Sequence, residues 1–259
     1  MLKPERYRRQ AALRVVGPAG QRKLSASTVL VVGCGGLGSA QSQFLARAGV
    51  GRLILADRDI IQLYNLPYQF IYDECDVAER KPKAEAAARR LRAINSGITI
   101  EPIVTNITAA NVEGLLARAD LLMDATDNFE TRYLLNDAAV KAGKPWVYGG
   151  VLGTDGTVMA VRPGEGPCLR CLFPEPPQAG LLPTCDAYGV LNTAVAWTAA
   201  LQVTEALKLL TGGADKDHKF HTLDIWQGSI SAVSAERRAG CVCCGQRRFE
   251  FLGKEKDRV

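Results

Sequence analysis

The sequence contains only two histidines, His218 and His221, among its 259 residues. Both fall near a predicted turn and strand start, away from every group of cysteines, so we assign them structural or surface roles. No serine or cysteine stands in a pattern typical of a Ser-His-Asp or Cys-His nucleophile. The sequence therefore gives no support for chemistry that depends on a histidine base.

Long apolar runs are missing as well. The longest apolar stretch, residues 189–201, is interrupted by Asn192 and two threonines, whereas a membrane-spanning helix needs about 20 nearly uninterrupted apolar residues. The first six residues lead into arginine and glutamine, without the apolar region of a secretory signal. We therefore expect no membrane association and a cytoplasmic location.

The charge balance is mild. Lys+Arg is 32 against Asp+Glu 27, a net charge of +5, which permits a polyanionic ligand. A nucleic-acid-binding protein usually carries a denser basic stripe, so we expect no nucleic-acid partner. The chain is 47% hydrophobic, which is ample apolar material for a core and excludes disorder as the main state.

Strands alternate with helices through the first 150 residues, a pattern that predicts βαβ units and a parallel sheet. Strands are predicted at residues 27–32, 51–56, 98–104, 120–125 and 145–148, and helices at 35–48, 76–94 and 129–142. After residue 150 we predict a strand at 153–161, a proline-rich loop at 164–183, a helix at 190–210 and two strands at 219–226 and 229–237. The fold class is therefore α/β, with a Rossmann-like, mostly parallel sheet extended by antiparallel strands. We predict one domain over residues 1–259, with halves at 1–150 and 151–259.

A glycine-rich turn follows the first predicted strand. Its glycines, which fit the G-x-G-x-x-G pattern, are Gly33, Gly35, Gly36 and Gly38. In such turns the backbone approaches a phosphate closely, and the following helix supplies N–H donors. Asp57 ends the next strand and is placed to accept a hydrogen bond from a ribose hydroxyl. The motif indicates a nucleotide but leaves NAD and ATP open, and a merely tight turn is the structural alternative.

Cysteines are paired in two C-x-x-C motifs 69 residues apart, Cys168 with Cys171 and Cys241 with Cys244. Four thiolates suit a structural zinc ion, which would join the C-terminal segment to the proline-rich loop. Unligated reduced thiols and an iron–sulfur cluster remain as alternatives. Cys243 lies inside the second pair and could compete as a ligand.

Other charged groups carry weaker signals. Asp127 and Asn128 follow the fourth strand, where a carboxylate could hold Mg²⁺ against a triphosphate; either residue could instead cap the next helix. Lys83 opens the third helix and could face phosphates. Arg9 belongs to a basic N-terminal cluster, which alone is more often a solvated surface.

Taken together and in order, these motifs resemble those of the MoeB/ThiF/HesA family of ubiquitin-activating-like adenylyltransferases. The resemblance rests on Arg6–Gln10, the glycine turn, Asp57-x-Asp59, Asn65-Leu66-x-x-Gln69, Lys81-Pro82-Lys83, Asp124-x-x-Asp127-Asn128 and the paired C-x-x-C motifs. It covers nearly the whole chain, from about residue 5 to 245. Each motif is weak alone, but their combined order is specific.

The resemblance implies a reaction in which ATP adenylates the C-terminal glycine of a small ubiquitin-like sulfur carrier ending in Gly-Gly. Such carriers serve molybdopterin or thiamine biosynthesis. The residues implied at the nucleotide are Gly33, Gly35, Gly36, Gly38, Asp57, Asn65, Lys83, Asp127 and Asn128, with Asp127 on Mg²⁺. Arg9 is implied to reach the triphosphate of a partner subunit, hence a homodimer. Cys168, Cys171, Cys241 and Cys244 match the zinc ligands, and residues 151–259 become the carrier-binding and zinc-stapled half.

The resemblance also concerns Cys185, which matches a cysteine that some members join covalently to the carrier. The chain ends soon after the second cysteine pair, so we expect a separate protein to donate sulfur. One position departs from the family pattern: the phosphate-binding arginine is replaced by Tyr68, and a neighbouring serine by Tyr64. This departure bears on the rate of adenylation and on the identity of the acyl substrate.

Three alternatives remain at this stage. The enzyme could adenylate a different carboxylate, such as a peptide terminus. An NAD-dependent oxidoreductase is disfavoured because no acid or base for hydride transfer is evident and because Lys83 and Asp127 would have no role. Tyr68 also motivates a non-catalytic, zinc-stapled scaffold that binds a carrier tail.

Overall fold

The computed structural model describes residues 4–178, 185–213 and 217–253. Within these ranges the strands are β1 (Thr28–Val32), β2 (Arg52–Asp57), β3 (Thr99–Val104), β4 (Leu121–Asp124), β5 (Trp146–Leu152), β6 (Asp155–Val161), β7 (Lys219–Asp224) and β8 (Ser229–Ser234). They form one sheet in the order β3-β2-β1-β4-β5-β6-β7-β8. The first five strands pair in parallel and the last three antiparallel. The predicted fold class is thereby confirmed.

Helices cover both faces of this sheet. They are α1 (Arg8–Ala11), α2 (Gly17–Ala26), α3 (Gly36–Ala48), α4 (Glu74–Ala78), α5 (Lys83–Ile94), α6 (Val112–Ala117), α7 (Phe129–Ala142), α8 (Leu169–Leu172), α9 (Cys185–Tyr188) and α10 (Asn192–Thr211). One core cluster joins the sheet to α3, α5 and α10. A second joins the opposite face to α6, α7 and the four paired cysteines. The sheet is thus buried on both sides, which explains why its parallel strands are almost continuously apolar.

The order in which strands are added to the sheet changes direction between β1 and β4. After β1, the chain adds β2 and β3 on one side of β1 and then β4 and β5 on its other side. The carboxyl ends of β1 and β4 therefore leave a crevice between their loops, the position at which open α/β sheets bind ligands. The glycine turn follows β1 and the segment 124–128 follows β4, so both face this crevice.

The predicted helix at residues 76–94 is wrong in one respect, because it is two helices. Asp73 caps α4 by accepting a hydrogen bond from Asp76 N at 3.1 Å. The chain then turns through Arg80, whose φ is +50°, a left-handed conformation that a helix cannot contain. Pro82 disfavours helical geometry at the residue before it, so α5 starts afresh at Lys83.

Other predicted bounds differ less. β5 continues to Leu152, four residues beyond its predicted end, because it pairs with β6 along its whole length. The proline-rich loop contains the short helix α8. Among the described residues, we find no helix that combines the length and the apolar character needed to cross a bilayer. The division of the chain into two functional halves stays a prediction.

Candidate functional site

At two positions of the glycine turn, only glycine fits the structure. Gly33 has a φ of +95°, and a Cβ there would overlap the carbonyl of Ala125. A Cβ on Gly38 would overlap the carbonyl of Gly33. The turn is therefore pressed against the loop after β4, and it leads into α3 at Gly36. The first N–H groups of α3 point towards the crevice, where they can bind an anion.

Asp57 braces this turn from the end of β2. One carboxylate oxygen accepts from Cys34 N at 2.6 Å, and the other accepts from Asp59 N at 2.7 Å. Burial raises the pKa of Asp57, while these hydrogen bonds oppose the shift. Each oxygen keeps a further lone pair, so the expected contact with a ribose hydroxyl stays a prediction, now added to an observed structural role.

Lys83 faces the same turn from the start of α5. Its side chain is only 9% exposed, and Nζ lies 3.1 Å from Asp59 Oδ2. The backbone of the two residues is also paired, because Lys83 N donates to Asp59 O at 2.8 Å. Asp59 therefore orients Lys83. Asp59 belongs to the Asp57-x-Asp59 motif, but our sequence analysis gave it no role.

Asn65 and Tyr68 lie beside the glycine turn. Asn65 is buried, and its Nδ2 donates to the Tyr68 hydroxyl at 3.2 Å. A Cβ on Gly36 would lie 3.3 Å from Tyr68 Cδ2, and one on Gly35 would lie 3.8 Å from Gln69 Nε2. The replacement at Tyr68 therefore places a neutral ring against the start of α3, where the family pattern has a cation.

Two carboxylates, one at the end of β4 and one in the loop that follows, differ in burial. Asp124 is fully buried and accepts from Thr126 N at 2.9 Å and from Thr126 Oγ1 at 2.7 Å. Burial raises its pKa, and the positive charge of Arg132 opposes that shift. Asp127 is exposed at the crevice. Asn128 caps α7, since its Oδ1 accepts from Thr131 N at 2.8 Å. The capping alternative is thus confirmed for Asn128, whose Nδ2 also donates to Asp127 Oδ1 at 3.3 Å. The contact of Asp127 with Mg²⁺ stays a prediction.

The four paired cysteines converge on the opposite face of the sheet. Cys168 Sγ lies 3.6 Å from Cys241 Sγ, and Cys171 Sγ lies 3.4 Å from Cys244 Sγ. All four are buried, and their sulfur atoms lie within 4.8 Å of one another. A tetrahedral zinc ion with Zn–S bonds of about 2.3 Å requires sulfur atoms about 3.8 Å apart, so the four residues fit zinc with little adjustment.

Hydrogen bonds among these sulfur atoms raise the pKa of Cys168 and Cys244 and lower the pKa of Cys171. Cys243 is buried beside the cluster but lies outside the group of four. Its sulfur accepts from Asn136 Nδ2 at 3.2 Å. Cys243 is therefore a neighbour of the four-cysteine group that also interacts with Cys168, and its competition as a ligand stays a prediction.

Comparison with known proteins agrees with this arrangement. The sequence profile of the ThiF family matches residues 7–243.

The chain belongs to the ThiF family.

Two curated relatives of this ThiF family chain cover almost all of it. The sulfur carrier protein ThiS adenylyltransferase of Bacillus subtilis is 43% identical over 252 residues, 96% of this chain and 74% of that protein. The sulfur carrier protein adenylyltransferase of Thermus thermophilus is 42% identical over 248 residues, 93% of this chain and 90% of that protein. Among solved structures, E. coli MccB with ATP has a TM-score of 0.79 and 25% identity, covering 93% of this chain and 74% of that one. The resemblance inferred from the motifs is thereby confirmed.

Arg9, a predicted site residue of this ThiF family chain, lies away from the crevice of its own subunit. It lies on α1, and the next residue, Gln10, donates to Ala48 O at the last residue of α3. The glycine turn lies at the other end of α3, about 18 Å away for 13 residues. Arg9 is exposed, and no hydrogen bond or ion pair holds it within the described chain.

Cys185 begins α9, but its side chain lies outside the described residues, so its predicted role stays a prediction. Sequence reasoning did not single out Arg132, which the structure places next to the end of β4. Its guanidinium is buried beneath the 124–128 segment, beside Asp124. Its signal in the sequence is only that it follows Asn128 by four residues on the same helix, which does not reveal its direction.

Proposed function

We propose that this ThiF family protein uses ATP to adenylate the C-terminal glycine of a small ubiquitin-like sulfur carrier. The observation that carries the proposal is the convergence of the glycine turn, Lys83 and Asp127 on one crevice at the reversal point of the sheet. The names of the two curated relatives support the choice of a sulfur carrier as substrate.

The chemistry suits the residues present. A carboxylate oxygen of the carrier attacks the α-phosphorus of ATP, the bond from that phosphorus to the bridging oxygen breaks, and pyrophosphate leaves. Two anions must approach each other, so charge neutralisation and positioning are the main requirements. Lys83 and the N–H groups of α3 supply positive charge. No general base is needed because the carboxylate is already ionised at pH 7, which explains a site built without histidine.

Asp127 is the residue that would hold Mg²⁺ in this site, with Asn128 beside it. The fit rests on the exposed carboxylate of Asp127, since hard cations prefer oxygen ligands. When bound, Mg²⁺ would neutralise charge on the phosphate oxygens. Asn65 would contact the phosphates beside the glycine turn, and Asp57 would hold the ribose.

We infer that the active form is a homodimer completed by Arg9 of each subunit. Arg9 is separated from its own glycine turn by the length of α3, and it is exposed for a contact with another chain. The later steps need further components, namely Cys185 as the residue for covalent attachment of the carrier and a separate sulfur donor protein for thiocarboxylation. Adenylation itself needs no thiol. The seven described cysteines are free of disulfide bonds, in keeping with a reducing cytoplasm.

The decisive experiment is ATP–pyrophosphate exchange by the full chain with a candidate carrier ending in Gly-Gly. Exchange that depends on this carrier, and that disappears when its last two residues are removed, is the expected result. Exchange with a short peptide but not with the carrier would favour adenylation of a peptide terminus. Absence of exchange with both would favour the binding scaffold.

A further inference from the structure

Arg132 is a buried cation placed under the segment that carries Asp127. It lies on the first turns of α7, with its side chain only 8% exposed. Its Nη2 donates to the carbonyl of Thr126 at 2.8 Å. That carbonyl belongs to the peptide group joining Thr126 to Asp127, so this hydrogen bond fixes the plane from which the Asp127 side chain departs.

The same turn is held from its other side by Asp124. That carboxylate accepts from both the N–H and the hydroxyl of Thr126 and lies 3.4 Å from Arg132 Nε. Two buried side chains of opposite charge therefore hold Thr126 by hydrogen bonds at its N–H, its hydroxyl and its carbonyl.

Two aromatic rings complete the enclosure of the guanidinium. Its central carbon lies 5.1 Å from the centroid of the Phe129 ring and 5.5 Å from that of Tyr148. Cation–π contacts of this kind are formed more often by arginine than by lysine. Buried ion pairs contribute little net stability compared with apolar packing, so stability alone is a weak reason for this arrangement.

We propose that Arg132 is a positioning residue for adenylation, which fixes the turn at Thr126 and thereby the place of Asp127 in the crevice. This inference rests on the proposed function only for its kinetic consequence. Its structural content, the ordering of the 125–131 segment by Arg132, can be measured without any substrate.

The test compares Arg132→Met and Arg132→Lys with the wild type in the full chain. The lysine variant keeps a charge for Asp124 but loses the planar fork that also reaches Thr126. Arg170→Met is the matched control, because Arg170 is equally buried, pairs with Glu250 and stacks on Phe251, but belongs to the cysteine-cluster side of the sheet.

Amide hydrogen exchange without nucleotide should be at least tenfold faster over residues 125–131 in both Arg132 variants and unchanged there in Arg170→Met. The lysine variant should regain most of the wild-type Tm without regaining this protection. In pyrophosphate exchange, both Arg132 variants should need more Mg²⁺ for half-maximal rate. Their kcat/KM should fall on the order of a hundredfold, the cost of a misplacement of about 1 Å.

Unchanged hydrogen exchange over 125–131 in both variants would overturn the inference. So would full recovery of protection and kcat/KM by the lysine variant, since charge alone would then suffice. A wild type that catalyses no pyrophosphate exchange would refute the proposed function, while hydrogen exchange would still decide the role of Arg132. If Arg132→Met does not fold, the lysine variant and Asp124→Asn, which loosens the same turn from the other side, decide it.

Discussion

Tyr68 stands against the start of α3, where a triphosphate would meet positive charge. An arginine there would give charge-assisted, two-pronged hydrogen bonds, whereas a tyrosine hydroxyl gives one neutral bond. The difference is on the order of 1.5–3 kcal/mol, or roughly ten- to a hundredfold in rate. We predict that Tyr68→Arg raises the rate of ATP–pyrophosphate exchange by that factor, as measured with saturating carrier.

Tyr68→Phe is the control for this prediction, because it removes only the hydroxyl that accepts from Asn65. It should lower the rate by no more than about tenfold, because one neutral hydrogen bond contributes about 0.5–1.5 kcal/mol. Arg58, which lies 3.7 Å from Asp59, and Arg80 are the nearby cations that could replace the missing charge. A fast wild type that Tyr68→Arg does not improve would show that one of them already does so.

Asp127 and Asn128 are adjacent but have separable roles. Asp127→Asn should lower the exchange rate by about a hundredfold or more, as expected when a preorganised charge is removed from the reaction centre. The same variant should unfold at the wild-type temperature because Asp127 is exposed. Asn128→Ala should instead cost about 1 kcal/mol of stability through the lost helix cap. Thermal unfolding and exchange assays on both variants measure the two effects, and an equal loss of stability in both would contradict the separation.

Residue identities in this site were predictable to different degrees. Gly33 and Gly38 are required because other backbone atoms lie too close for a Cβ. Their spacing after an apolar strand predicts this requirement. Asp124 and Asp127 look alike in sequence, yet Asp124 is buried beside Arg132 and Asp127 is exposed. The contact with Arg132 depends on where α7 places a residue four positions after Asn128, which no local pattern encodes.

At the level of elements, the cysteine cluster connects α8 to the segment after β8. We predict one zinc ion per chain by elemental analysis, and a lower stability for Cys171→Ser without a selective change in ATP affinity. A loss of about 3 kcal/mol corresponds to a fall in Tm of roughly 6 °C for a chain of this size. Cys75→Ser is the control, since Cys75 is exposed and lies outside the cluster. A fully active, fully stable protein without metal would contradict this prediction.

The predicted bounds of α7, residues 129–142, are the observed ones, because Asn128 caps its start and Gly143 ends it in a left-handed conformation. The break between α4 and α5 was missed because both flanks are rich in helix-forming residues. The signals were Pro82 and the cap at Asp73, which compete with alanine and arginine propensity and prevail through backbone geometry. The extension of β5 was missed because its pairing with β6 is a tertiary effect that glycine-rich sequence does not show.

At the level of the whole molecule, the proposed dimer predicts complementation between two inactive variants. Arg9→Ala and Asp127→Ala chains, coexpressed in equal amounts, should form hybrids in half of the dimers. Each hybrid has one site with both residues and one with neither, so about a quarter of the sites should be active. The measured exchange rate should approach that fraction of the wild type. No recovery, or a strictly monomeric active enzyme, would refute the shared site.

α3 has a consequence for such a dimer. One end of this helix forms the glycine turn, and the other end supports α1 through the bond from Gln10 to Ala48. In the proposed dimer, one subunit would carry its own nucleotide contact and the arginine of its partner's site at the two ends of α3. Any effect of occupancy at one site on the affinity of the other would then be reciprocal, as thermodynamic linkage requires.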